Sequence, residues 1–128
     1  MKLRIKGNAL RVRLTQGEIR TFAATGQVEE RTEFPGGTAL IYRLMRSDKI
    51  DDISVRYDGS LIEFQVPEAL AGRWCATDLV TLRAAPALAT GSVEVVLEKD
   101  FACLVPREGE DESDHFPHPE AGTGQGRC

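Results

Sequence analysis

The chain has 128 residues, with 16 basic and 20 acidic side chains, a net charge of −4 at pH 7 and an isoelectric point near 5.2. It contains neither a secretory signal pattern nor an apolar run of about 18 residues that would span a membrane. Its three cysteines, Cys75, Cys103 and Cys128, lack Cys-x-x-Cys spacing, which argues against a disulfide framework and a usual structural zinc site. We therefore expect a soluble, reduced, cytoplasmic protein.

The N-terminal segment predicts two short strands joined by a tight turn. Apolar residues from Leu3 to Leu14 alternate with basic residues, which is the period-2 pattern of a half-buried strand. Gly7-Asn8, between the two runs, is typical of a hairpin turn. The basic residues share the other face of this predicted hairpin, and they are Lys2, Arg4, Lys6, Arg11 and Arg13.

A short helix and two further strands are predicted next. Thr15 and Glu18 form a capping-box pattern, and Ile19, Phe22 and Ala23 would share the buried face of the helix, which Gly26 ends. Strands are expected at about 28–34 and 38–45, joined by Pro35-Gly36-Gly37.

The same order returns 52 residues later, which indicates an internal duplication. The repeated positions are Val55, Tyr57, Gly59, Ile62, Phe64 and Val66. They are followed by Trp74, which is equivalent to Phe22, and by Val80, which is equivalent to Val28. Asp58-Gly59 predicts the second hairpin turn, Pro67 suits the start of a helix, and Leu70, Trp74 and Cys75 would form its buried face. Later the offset becomes 53, so that Leu40, Tyr42 and Leu44 match Val93, Val95 and Leu97. The last strands are expected at about 79–83 and 92–98.

Each copy therefore reads β-β-α-β-β, and two copies predict an α+β domain of about eight mostly antiparallel strands with two short helices, as a sheet or a barrel. The copies span about 1–50 and 53–105, and a core of this size needs no cofactor to fold. Residues 106–128 form an acidic tail, rich in Pro and Gly, in which disorder is expected at 119–128.

Charge is divided between the copies. Residues 1–50 carry ten basic and five acidic side chains, whereas residues 51–105 carry four and nine. The basic hairpin face could be neutralised by Glu63, Glu94 and Glu98 across strands, or it could bind an anion, either a nucleic-acid backbone or a phosphorylated small molecule. The low isoelectric point and the lack of interleaved aromatic residues argue against nucleic acid.

Two resemblances to known families imply alternative functions. Gly7–Leu14, Val66–Leu70 and Asp78–Leu82 resemble parts of the swapped-hairpin regulators, which implies dimeric DNA binding. Charged residues on nearly every strand would, in a closed barrel, resemble the lumen of triphosphate tunnel enzymes, which implies phosphate handling with a metal. The tunnel family's Glu-x-Glu-x-Lys start is replaced here by Lys2-Leu3-Arg4-Ile5-Lys6.

The tail offers two further hypotheses. Asp111, Asp114, His115 and His118 could ligate a divalent metal, although Pro117 and Pro119 keep the two imidazoles off a common helix face. Alternatively, the tail could fold back, with its carboxylates on the basic hairpin and Phe116 in an apolar notch. Cys103, among apolar neighbours, is either a core residue or a nucleophile.

Several segments resemble a family of small uncharacterised bacterial proteins: Lys2–Asn8, Glu98–Arg107, Glu110–Asp114 and Phe116–Pro119. The resemblance implies no activity and no catalytic residues, but it implies that the acidic tail belongs to the protein. We therefore expect a non-enzymatic binding or interaction module that uses its basic hairpin face or its acidic tail to bind an anionic ligand or a protein, and no membrane.

Overall fold

A computed structural model of the chain describes residues 1–100 and Phe116. These residues contain two helices and ten strands, which confirms the predicted α+β class. The first copy comprises β1 (Lys2–Lys6), β2 (Ala9–Leu14), α1 (Gln16–Thr25), β3 (Gln27–Phe34) and β4 (Thr38–Ser47). The second comprises β5 (Ser54–Tyr57), β6 (Leu61–Pro67), α2 (Glu68–Ala76), β7 (Thr81–Ala84), the two-residue strands β8 (Ala87–Leu88) and β9 (Gly91–Ser92), and β10 (Glu94–Lys99). The domain boundaries at 50, 53 and 105 stay predictions.

The two copies exchange strands to build two four-stranded sheets. Sheet A has the order β1-β2-β10-β7, and sheet B has the equivalent order β5-β6-β4-β3. The hairpin that opens one copy therefore lies beside the strands that close the other. The two central pairs, β2 with β10 and β4 with β6, are parallel, and the other pairs are antiparallel. Both sheets are open, so the described strands form no barrel.

Strand register follows the offsets of the sequence repeat, with one correction. Val12 pairs with Leu97, as Phe64 pairs with Leu44 in the other sheet. Residues Val28 and Leu82 occupy equivalent positions, because they pair with Leu44 and Leu97 respectively. The match of Val28 with Val80 was therefore wrong by two positions. Gly26 alone separates α1 from β3, whereas residues 77–80 separate α2 from β7.

One hydrophobic core lies between the inner faces of both sheets and the two helices. Its helical centre is the pair Phe22 and Trp74, whose rings meet edge to face with centroids 6.1 Å apart. Two residues that occupy equivalent places in the repeat are therefore in direct contact. Ala23, predicted on the buried face of α1, is exposed, and Cys75 is only partly buried against the core. The fully buried large side chains are Trp74, Phe22, Phe64, Leu14, Leu44, Leu97, Val12, Val66 and Val95.

A basic side chain from a strand end reaches the C-terminal end of each helix. Arg46 Nη1 donates a 2.9 Å hydrogen bond to the carbonyl of Ala23, and Lys99 Nζ donates a 2.7 Å bond to the carbonyl of Thr77. The C-terminal end of a helix carries partial negative charge, which favours a cation there. Burial lowers the pKa of Lys99, whose side chain lies on the core side of β10.

Replacement by alanine is expected to have opposite effects on the free energy of unfolding at Gly26 and at Gly72. Gly26 ends α1 at φ 81°, and a Cβ there would lie 3.0 Å from Arg46 Nε, so we expect Gly26→Ala to lower the free energy of unfolding by about 1–2 kcal/mol. Gly72 lies within α2 with open space around its Cα, so Gly72→Ala should raise it by about 0.5–1 kcal/mol. Urea unfolding of both variants checks the prediction, and equal signs would contradict it.

Candidate anion-binding face

The outer face of sheet A, called here the basic face, brings together the five predicted basic residues. The strand register sets Lys2 beside Arg13 and Arg4 beside Arg11, with Lys6 on the same side of β1. The face carries six basic and two acidic side chains, and they are Lys2, Arg4, Lys6, Arg11, Arg13, Arg83, Glu94 and Glu98. Sequence reasoning missed Arg83 as a member, because only strand exchange places β7 of the second copy in this sheet.

The equivalent face of sheet B is neutral because its charges alternate across the strands. One cross-strand row runs Glu29, Arg43, Glu63, Arg56 over the four strands. Arg43 lies 2.7 Å from Glu29 and 3.1 Å from Glu63, and Arg56 Nε lies 2.9 Å from Glu63 Oε1. Glu63 is only 3% exposed, and hydrogen bonds from Arg56 foremost, then Gln65 and Arg43, lower its pKa against the opposing effect of burial. Every charge in this row thus has a neighbour of opposite sign.

The corresponding row of sheet A has lost that alternation. It runs Arg83, Val96, Arg11, Arg4 over the equivalent strands. Arg4 matches Arg56, but Arg11 stands where sheet B has Glu63, and Val96 stands where it has Arg43. The end of the row changes in the same sense, with Arg83 in place of Glu29. Two architecturally equivalent rows thus differ in charge, one balanced and one cationic.

Acidic residues compensate only part of the basic face. Glu98 Oε1 lies 2.6 Å from Arg13 Nε and 3.5 Å from Arg11 Nη1, as the cross-strand hypothesis predicts. A 3.3 Å ion pair joins Lys2 to Asp100. The expectation was wrong for Glu63, which lies in sheet B and pairs there with Arg43 and Arg56. Glu94 forms an ion pair with Arg83, at 3.8 Å.

Arg4 and Lys6 are the two cations of the basic face that do not pair with these acidic residues. Both are exposed, and neither has an ion pair within residues 1–100 and Phe116. They line a shallow cavity of about 190 Å³ together with Arg11, Glu94 and Val96. Val96 is 3% exposed although it lies on the outer face between arginine-bearing strands. The cavity thus combines three cations with one carboxylate and a small apolar floor, a set of groups suited to a phosphate or sulfate with a hydroxyl or amine beside it.

Phe116 contacts residues at the opposite end of sheet A from this cavity. Its amide donates a 2.8 Å hydrogen bond to the carbonyl of Asp100, its ring centroid lies 5.5 Å from Lys99 Nζ, and its side chain packs against the core. The contact of the tail carboxylates with the basic face stays a prediction, because those residues lie outside the described part of the chain. The same holds for Cys103 and for the predicted metal set of Asp111, Asp114, His115 and His118. The described residues contain no cluster of three or more potential metal ligands.

No helix among the described residues is long and apolar enough to cross a membrane. Residues 1–120 match the model of a family of unknown function (DUF7009). No curated protein and no solved structure matches the chain.

Proposed function

Because the chain belongs to the family of unknown function DUF7009, which supplies no activity, we propose from the geometry of sheet A that the protein is a non-catalytic binding module for a phosphate-bearing anion. The observation that supports this most directly is the change from the balanced row of sheet B to the cationic row of sheet A. Cations with no structural partner on an exposed face carry an electrostatic cost that an anionic ligand removes.

The two other candidate functions receive less support. A tunnel-type phosphate enzyme needs basic residues and carboxylates that converge in a closed lumen, whereas the described strands form two open sheets. A swapped-hairpin DNA regulator would use a similar basic layer, but the basic face carries no aromatic side chain among its described residues and the isoelectric point is near 5.2. Binding of a compact phosphate ligand requires neither aromatic side chains on this face nor a high isoelectric point.

Calorimetric titration with tripolyphosphate at low and high salt tests the proposal. We expect the double variant Arg4→Gln/Lys6→Gln to bind at least about tenfold more weakly, because a hydrogen bond to a charged group contributes about 1.5–3 kcal/mol. Raising the salt concentration should also weaken binding by the unmodified protein.

The matched control is Arg20→Gln/Arg31→Gln, which removes the same charge from α1 and from sheet B. This control should bind tripolyphosphate as the unmodified chain does. Equal loss in both double variants, or no binding at low salt, would refute the proposal. Binding of duplex DNA much tighter than that of tripolyphosphate would favour the regulator instead.

A further inference from the structure

An apolar cleft of about 670 Å³ opens between the two sheets at their hairpin-turn ends. Its walls include residues that are equivalent in the two copies, Leu10 with Ile62 and Ile5 with Tyr57. The cleft therefore surrounds the axis that relates the copies and takes apolar side chains from both sheets. Its volume lies within the range of about 300–1,000 Å³ that is usual for small-molecule sites.

Exposed hydrophobic surface is concentrated at this cleft. Among the described residues, four large hydrophobic side chains are exposed, and three of them line it: Ile5 at 56%, Tyr57 at 66% and Leu88 at 45%. The fourth, Phe34, is 50% exposed and lies elsewhere, at the end of β3. Convergent exposed apolar side chains of this kind mark a binding surface more often than scattered ones do.

The cleft takes equivalent residues from both copies, but the charges beside it differ between its two sides, and this difference points to its ligand. On the β5 side, Arg56 lines the cleft and is paired with Glu63 at 2.9 Å. On the β1 side, Ile5 lies between Arg4 and Lys6 in an edge strand, and neither cation has an ion pair within the described residues. Leu10 lines both the apolar cleft and the basic cavity, which lie on opposite faces of sheet A. Because β1 is an edge strand, the long side chains of Arg4 and Lys6 can reach around it to a ligand that extends out of the cleft past Ile5.

We propose that the ligand is an amphipathic anion, bound as a single molecule with its hydrocarbon or aromatic body in the apolar cleft and its phosphate or similar group at Arg4 and Lys6. The anionic half of this inference rests on the proposed function of the basic face. The apolar half is independent of it, because the cleft is formed by the inner faces of both sheets.

Titration with octyl phosphate, methyl phosphate and octanol separates the two halves. All three are used as monomers, below the concentration at which octyl phosphate forms micelles. We expect octyl phosphate to bind at least about 100-fold more tightly than methyl phosphate, since each buried methylene contributes about fourfold. Octanol should bind more weakly than octyl phosphate, and its binding should not change in Arg4→Gln/Lys6→Gln.

Variants at exposed positions test the cleft without disturbing the core. The double variant Ile5→Ser/Tyr57→Ser should lower the ratio of octyl phosphate affinity to methyl phosphate affinity by at least about tenfold. Its affinity for tripolyphosphate should stay unchanged. Phe34→Ser is the matched control, because it removes an equally exposed apolar side chain outside the cleft, and it should change neither affinity.

Three outcomes would overturn this inference, and they differ in what they leave of the proposed function. Tripolyphosphate binding with no gain from the octyl chain would overturn the amphipathic ligand and leave the phosphate-binding module in place. Absence of charge-dependent binding by any of the phosphates would overturn both. Binding to anionic vesicles without binding of monomeric octyl phosphate would assign the surface to a membrane and overturn the inference as well.

Discussion

Replacing Trp74 by alanine is expected to lower the free energy of unfolding by about 3–5 kcal/mol, the usual cost of truncating a large buried aromatic side chain. Trp74 has no solvent exposure, its ring packs edge to face on Phe22, and its Nε1 donates a 3.0 Å hydrogen bond to the carbonyl of Val80. A domain of this size is stable by about 5–15 kcal/mol in total, so the loss would take a large share of it.

Urea unfolding followed by far-UV circular dichroism measures this loss. Trp74→Phe keeps the ring contact but not the indole donor, and Val80 still accepts a 3.1 Å bond from the Lys99 amide, so its cost should be only about 1 kcal/mol. Phe34→Ala, at a side chain 50% exposed, should change stability by less than about 0.5 kcal/mol. A loss of under about 1 kcal/mol for Trp74→Ala would contradict the contact between the two copies as the centre of the core.

The second large effect is expected at Glu63, and it depends on pH. Glu63→Gln keeps the side-chain shape but leaves Arg56 and Arg43 without the charge that they share, which should lower the free energy of unfolding by about 2 kcal/mol at pH 7. Glu33→Gln is the control, because its side chain is 77% exposed and its ion pair with Arg31 spans 3.4 Å. Such an exposed pair contributes under about 1 kcal/mol.

The pKa of Glu63 determines the pH at which this difference disappears. The folded-state pKa lies below the ordinary value of 4.5, so the stabilisation from ionised Glu63 is complete above that pH. It is lost as the pH falls from 4.5 through the folded-state pKa, where Glu63 becomes protonated in the folded protein too. The stabilities of the parent chain and Glu63→Gln should therefore converge in acid. A difference that stays constant from pH 7 to pH 3 would show that the charge of Glu63 is not its cause.

Local patterns in the sequence predicted most of the fold. Alternation predicted the strands, the capping box at Thr15 and Glu18 is present as expected, and Gly7-Asn8 forms the first hairpin turn. The second turn is one residue later than predicted, at Gly59-Ser60, because Asp58 is hydrogen-bonded to Leu61 across it. These features depend on neighbouring residues, whose interactions can be inferred from spacing alone. The small β8–β9 hairpin was missed, because strands of two residues have no period to detect.

Sheet composition was not predictable in the same way. Whether β2 pairs with a strand of its own copy or of the other depends on tertiary packing that no local pattern encodes. The basic residues of β1 and β2 were identified correctly as one face, since hairpin neighbours are local. The addition of Arg83 and the position of Val96 follow from strand exchange, and Glu63 lies in the other sheet because β6 pairs with β4. The charge difference between the two sheets was therefore visible only once their register was known.

Because of strand exchange, the strand pairing does not depend on the covalent connection between the two copies. Residues 48–53 join β4 to β5, and these two strands are not hydrogen-bonded to each other. Each half of the described chain supplies two strands to both sheets, and within residues 1–100 neither half forms a four-stranded sheet of its own. A chain opened at this connection would keep every strand pairing, as two peptides wound around one another. The topology is that of an intertwined dimer whose two subunits are joined in a single polypeptide. Because the two sheets belong to one chain, the charged row of sheet A can differ from the equivalent row of sheet B.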